Sequence, residues 1–414
     1  MGIHTDLERN VRPQNGLDSI IMWLFSMENS GRQMISDHNK NTDHFQVIRG
    51  VACLMVVFNH LGGAIVPAID EHSPWYAPLL VPLGFPWVWL FLAISGFLLA
   101  KAFTSGRFAL NKTGIRDFYF RRFWRLLPLL WFSGILWAIM FYILNPFGYW
   151  PKGLNWNWLI EIYVALALPW GLYSEKLAPV MSVNSPTWSV VVEIHFCVLM
   201  PFIMLYLKSA KQKIYLFYLW LLFIGLLLAR VLWKGGPTIF PYIYTGHLYN
   251  FGFFYTGMLL ATYRTDQSLF DKISLGQAIF FGIFTIVFVQ YLASWDLNIA
   301  LAIAPLVILP AICLLIAKSN ASYQAMPPRS LSEALPFRPH LLSVLEKIGI
   351  MSYSVYLLHK PIGYIYFQFI SPIPSYDNVG QYFLKIISFV IPFLFISTLT
   401  FYFIENKYRY RRHQ

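Results

Sequence analysis

The chain has 414 residues, of which 57% are hydrophobic and only 12% charged, against about 25% charged in an average soluble domain. Aromatic residues reach 18%, with 15 Trp, 25 Tyr and 36 Phe; a soluble interior cannot hide that much apolar surface, and a bilayer supplies the missing solvent. The formal net charge of +12 does not point to nucleic acid, because the basic residues sit in short clusters between apolar runs, which is how the positive-inside rule distributes charge.

In chain order, residues 1–43 are polar and read as a cytoplasmic tail. The first apolar patch, 20–25, is too short for a signal-peptide core and lacks a small-residue cleavage site, so the first true span is expected to act as the insertion signal. A span needs about 20 predominantly apolar residues. Stretches of that kind recur at 46–67, 84–103, 123–145, 186–207, 214–233, 247–263, 274–292, 298–317, 348–370 and 382–404. Segment 155–173 is ambiguous: it carries Glu161 and several Trp, and Pro169-Trp170-Gly171 interrupts its end. The polar stretch 318–347 reads as a cytoplasmic loop, and 407–414 as a basic cytoplasmic tail with no soluble catalytic domain expected after it. No internal repeat is visible. Cys53, Cys197 and Cys313 lie scattered in apolar runs and offer neither a disulfide framework nor zinc-ligand spacing.

Loop charge decides the ambiguous segment. If 155–173 does not cross and the N-terminus is cytoplasmic, most basic residues outside the spans fall inside, and only Lys152, Lys176 and Lys234 fall outside. If it crosses, every later loop flips and the rule is violated. The expected fold is therefore an all-α polytopic integral membrane protein, 44–406, with about ten transmembrane helices, a re-entrant or interfacial segment on the outer side, and both termini inside.

Polar groups within spans are costly and are functional candidates by default. The first span enters at Arg49 and carries His60 deeper in. Eleven residues make about three helical turns and roughly 16 Å, so the two side chains share one face. A neutral imidazole is a competent general base; the plain alternative is a hydrogen bond between helices. In the second span, Phe91 to Phe97 includes the small-residue step Ser95-Gly96, which suits close helix packing.

The cluster 116–128 places Arg122 and Arg125 three apart, on one helix face. The planar guanidinium binds phosphate oxygens bidentately, although a positive-inside anchor reaching for headgroups needs the same residues. Next, Pro186 suits a helix start that Thr187 or Ser185 can cap. Trp188, Ser189, Glu193 and His195 follow. Glu193 can orient a polyhydroxylated acceptor or pair with a neighbouring helix, and His195, two residues on, points to another face. The last cluster, 352–361, holds Tyr353, Tyr356, His359 and Lys360, with Pro361 able to kink the helix. Walker loops, dinucleotide glycine fingerprints, Gly-x-Ser-x-Gly elbows and metal-ligand clusters are all missing from the sequence. The chemistry is expected to use buried His, Arg and Glu without a metal.

This set of motifs resembles the membrane-bound acyltransferase-3 family, which O-acylates bacterial surface and exported carbohydrates. The resemblance runs from Gln46 to Glu405. Arg, ten residues and His corresponds to Arg49 and His60; Phe-Phe-Val-Leu-Ser-Gly-Phe resembles Phe91 to Phe97; Arg-x-x-Arg followed by Leu-Leu-Pro resembles Arg122 to Pro128. The family's Trp-Ser-x-x-x-Glu with a later Pro resembles Trp188, Ser189, Glu193 and Pro201, and its Ser-Tyr-Ser-x-Tyr-Leu-x-His-x-Pro matches Ser352 to Pro361. The terminal Ile-Glu recurs at Ile404-Glu405. Departures are Glu193-Ile194-His195-Phe196-Cys197 where relatives often have Glu-Glu-Gln-Phe-Tyr, and Lys407 where a Pro is often found. Many relatives also carry a fused esterase-like domain, which is not expected here.

The resemblance implies acyl-CoA, usually acetyl-CoA, as a cytoplasmic co-substrate with no tightly bound cofactor, a carbohydrate or glycolipid acceptor, and a bacterial inner membrane. It implies His60, Arg49 and Glu193 as catalytic residues and Arg122, Arg125 and Ser95 as acyl-CoA contacts. Trp188, Ser189, Tyr353 and His359 are left to touch the acceptor or orient other groups. His60 then serves as general base or as transient acyl carrier. Two competing readings are a secondary transporter for a sugar or lipid-linked glycan, which often shows repeat symmetry, and a glycosyltransferase or polymerase, which relies on carboxylates and often a metal.

Overall fold

The computed structural model describes residues 43–65, 82–144, 186–234, 246–262, 272–324, 339–370 and 379–406, and all regular structure among them is helical. The first helix, α1 (His44–Ile65), begins where the sequence changes from polar to apolar. Asp43 caps it: Oδ1 accepts from the backbone N–H of Phe45 at 3.0 Å and of Gln46 at 3.3 Å, satisfying donors that a helix start leaves open.

The remaining helices are α2 (Phe85–Thr104), α3 (Lys112–Leu144), α4 (Thr187–Tyr206), α5 (Ala210–Lys234), α6 (His247–Thr262), α7 (Leu275–Trp295), α8 (Leu297–Gln324), α9 (Pro339–Ile350), α10 (Ser352–Ile365) and α11 (Val379–Thr400). Short π-helical stretches, Tyr366–Ile370 and Phe401–Glu405, extend α10 and α11. Pro186 stands at the start of α4 as expected, while Ser185 lies outside the described residues.

Every one of the ten stretches expected to span is helical over nearly all its length. Seven helices, α1, α2, α4, α5, α7, α8 and α11, contain a segment long and apolar enough to cross a membrane, and the α9–α10 pair makes eight if it is one bent span. By these two criteria the count among the described residues is seven or eight, short of the ten stretches expected. The reason is partly geometric: α6 has 16 residues, about 24 Å at the helical rise, against roughly 30 Å of hydrocarbon. The 348–370 stretch is also not one rod. It turns by 81° between α9 and α10, at Met351, while Pro361 lies inside a helix that continues past it. The 81° turn lies ten residues before that proline. Segment 155–173 and the tails 1–42 and 407–414 lie outside the described residues.

The core forms around α1, α2, α6 and α10. In α2, Trp89 stacks on Phe253 of α6 with centroids 4.5 Å apart. A Cβ on Gly96 would collide with the carbonyl oxygen of Phe254, and one on Gly257 with that of Ala93. The small-residue step in 91–97 therefore does serve close helix packing, as that reading of it required. Outward faces of α5, α7 and α11 remain apolar and exposed, for example Leu226, Phe280 and Phe395; such surface fits lipid rather than water.

Candidate active site

The seam between α1 and α10 carries the first-span motif. Arg49 donates from Nη2 to Ser352 Oγ at 3.1 Å, and its guanidinium lies 5.8 Å from the centre of the Phe91 ring. Further along, Cys53 Sγ contacts the Ser352 carbonyl at 3.4 Å. Three turns from Arg49, His60 Nδ1 meets His359 Nε2 at 2.7 Å. The single face expected for Arg49 and His60 is therefore the face toward α10. The contacts fall in the same order along both helices, so α1 and α10 run in the same sense.

Beside this seam lies a cavity of about 50 Å³ formed by α1, α2, α4 and α10. Its polar lining is Arg49, Ser95, Ser189, Glu193, Ser352, Tyr353 and Tyr356, set among Val88, Phe91, Leu92 and Val190. Apolar walls with a few convergent polar groups are the usual composition of a small-molecule site. Ser189 Oγ and the Tyr356 hydroxyl are 2.6 Å apart, and Tyr353 donates to the Leu126 carbonyl of α3 at 2.7 Å. Glu193 forms an ion pair with Arg122, and Arg122 Nε donates to Cys197 Sγ at 3.3 Å. Motifs from the first, second, fourth and last clusters thus meet at one place, with Arg122 attached through Glu193.

Five expected site residues stand outside the lining: Arg122, which reaches it through Glu193, and Arg125, Trp188, His60 and His359. Arg125 is half-buried on α3, one turn beyond Arg122. Trp188 is buried in the first turn of α4. His60 and His359 lie one turn past Tyr356, whose carbonyl accepts from His359 Nδ1 at 2.6 Å. That bond links the imidazole pair to the cavity wall.

The sequence reading left several contributors without a role. Ser352 and Tyr356 fall at helical spacing with His359, a signal that one face of α10 turns toward α1. Glu405 accepts from Ser354 Oγ at 2.7 Å and is buried, so the terminal Ile-Glu packs against the back of the same helix. His195 does face away from Glu193, as its spacing required, and meets His247 of α6 at 2.6 Å. Nothing in the local sequence around His247 announces that contact.

The model of a family described as "Acyltransferase domain" matches residues 43–404 of this chain. No curated protein and no solved structure matches it. The match covers the cavity, the imidazole pair and every helix that supplies them; the chain belongs to the acyltransferase-3 family, whose members are enzymes that transfer acyl groups.

Proposed function

We propose that this enzyme moves an acyl group, in the first instance acetyl, from acyl-CoA on the cytoplasmic side to a hydroxyl of a surface or exported carbohydrate. The observation that carries the reading is the linkage of Arg49, through the cavity, to the His60–His359 pair. A cation stands at one end of α1 and a base about 16 Å along the same face; Ser189, Glu193 and Tyr353 line the cavity with Arg49, and the Tyr356 carbonyl joins its wall to His359. Arg49, Arg122 and Arg125 are suited to the CoA phosphates, since guanidinium forks bind phosphate oxygens bidentately. The pantetheine arm then follows α1 toward His60, past Phe91 and Ser95. His60 takes the proton of the acceptor hydroxyl, or carries the acyl group before passing it on.

The membrane setting proposed is a bacterial inner membrane with both termini cytoplasmic. The sense of the helices supports this reading. Tyr119 of α3 bonds the Val198 carbonyl, while Arg122, one turn on, reaches back to Glu193 of α4. The two helices therefore meet in opposite senses, as consecutive spans do.

The test uses inverted membrane vesicles, radiolabelled acetyl-CoA and a glycan extract of the host. Label is expected on carbohydrate with the wild type and none above background with His60→Ala. Arg122→Ala with Arg125→Ala is expected to raise the acetyl-CoA concentration needed for half-maximal transfer. Equal labelling by wild type and His60→Ala removes His60 from the mechanism. No labelling by any form, with the native acceptor supplied, turns the reading toward a transporter.

A further inference from the structure

The two imidazoles at the end of the α1–α10 seam are not stacked. Their planes differ by 15°, their centroids are 4.9 Å apart, and Nδ1 of His60 lies 2.7 Å from Nε2 of His359. Ring faces in contact stand about 3.5 Å apart or more. Nearly parallel rings with nitrogens this close must lie edge to edge in one plane, joined by an N–H···N hydrogen bond. Such a bond needs a proton on one nitrogen and a lone pair on the other.

The backbone decides which is which. A carbonyl oxygen accepts and never donates, so the 2.6 Å contact between His359 Nδ1 and the Tyr356 carbonyl puts the proton of His359 on Nδ1. His359 is completely buried, and a second proton there would bury a charge at high cost. Its Nε2 therefore holds a lone pair. His60 must donate to that lone pair from Nδ1, and its own Nε2 is left bare. A main-chain carbonyl in a helix cannot be repositioned by a side-chain change, so the polarity of the whole chain of bonds is anchored in the fold.

We infer that His359 is a positioning residue that holds His60 as its Nδ1–H tautomer and so presents His60 Nε2 as the unprotonated atom to the acceptor hydroxyl. This rests on the acyl-transfer reading. The hydroxyl proton passes to His60 Nε2 as the oxygen bonds to the thioester carbonyl carbon. The carbon–sulfur bond breaks, and the CoA thiolate takes the proton from Nε2. Through this cycle the Nδ1 proton of His60 stays bonded to His359, which orients the ring and supports its transient positive charge. The role is the one a carboxylate plays behind the histidine of a serine hydrolase, filled here by a second imidazole whose own tautomer the main chain dictates.

The tautomer can be read without turnover. Nitrogen-15 NMR of the full-length protein in lipid bilayers, with labelled histidine, distinguishes protonated from bare ring nitrogens; subtraction of the His60→Gln spectrum identifies His60. The expected result is a protonated Nδ1 and a bare Nε2 on His60. In His359→Leu the His60 proton should move to Nε2, the tautomer free imidazole prefers, and kcat should fall about 100-fold with KM for acetyl-CoA unchanged. His359→Gln, whose amide oxygen can accept the same bond, should keep the tautomer and most of the rate. A wild-type His60 carrying its proton on Nε2 overturns the inference, and so does a His359→Leu variant in which the tautomer does not change. A wild type with the expected tautomer but no acyl transfer leaves this inference standing and removes the functional reading beneath it.

Discussion

Arg122 and Glu193 come from separate motifs, and their side chains form an ion pair with only 11% and 18% of their surfaces exposed. Two charges so enclosed are stable mainly because each compensates the other. Removing one partner strands the other, at a cost of about 3–5 kcal/mol. Arg122→Ala and Glu193→Ala should therefore each lower the thermal midpoint in detergent sharply. Replacing both together, as Arg122→Met with Glu193→Leu, should restore much of the stability while leaving transfer impaired. Additive losses in this double-mutant cycle would show that the pair is not coupled. The chemistry of both residues was legible in the sequence, because charged groups in apolar runs are costly and must have a purpose. Their partnership was not. It joins positions 71 apart, and the spacing of Arg122 and Arg125 says only which face of α3 they occupy, not which helix stands opposite.

At the level of elements, helix identity was largely written in apolar run length, whereas helix contact was written in single glycines. Gly96 and Gly257 let the backbones of α2 and α6 touch, and Gly50 and Gly349 do the same for α1 and α9. A methyl group at any of these would meet main-chain carbonyl, which cannot rotate aside. Gly96→Ala and Gly257→Ala should each destabilise by about 1–3 kcal/mol, the range for overpacking. Gly134→Ala and Gly225→Ala, where a Cβ would meet nothing within 4 Å, should not destabilise and can gain up to about 1 kcal/mol of helix propensity. Unfolding midpoints of the four variants in one detergent check this, and equal effects at all four would refute the packing argument. The break at Met351 shows the limit of sequence rules for elements. Proline marks where a helix lacks a hydrogen bond, and in a bilayer neighbouring helices compensate for that loss. Pro361 is accommodated within α10, while an 81° turn occurs at an unremarked methionine. What fixes the turn is tertiary: α9 packs along α1, and Glu346 of α9 accepts from the Asp43 backbone at 3.2 Å.

For the molecule as a whole, charge placement and helix sense bear on the same question from independent directions. The sequence puts Lys208, Lys211 and Lys213 at the α4–α5 connection and Arg116, Arg121 and Arg122 at the start of α3. In opposite-sense neighbours, the start of α3 and the end of α4 lie on one side, and both ends are basic, as a cytoplasmic face should be. A crossing by 155–173 would instead give α3 and α4 the same sense and divide these clusters between the two sides. Cysteine labelling decides it. Cys53 and Cys197 are buried, so only Cys313 needs replacement to obtain a quiet background. Introduced one at a time, Lys152→Cys and Lys176→Cys should react with a membrane-impermeant maleimide in right-side-out vesicles, and Lys211→Cys only in inverted ones. Reaction of Lys176→Cys from the cytoplasmic side alone would mean that the chain crosses between 152 and 176. The donor and acceptor sides would then exchange places relative to α4 and α10, and the path from Arg49 to His60 would need a different direction.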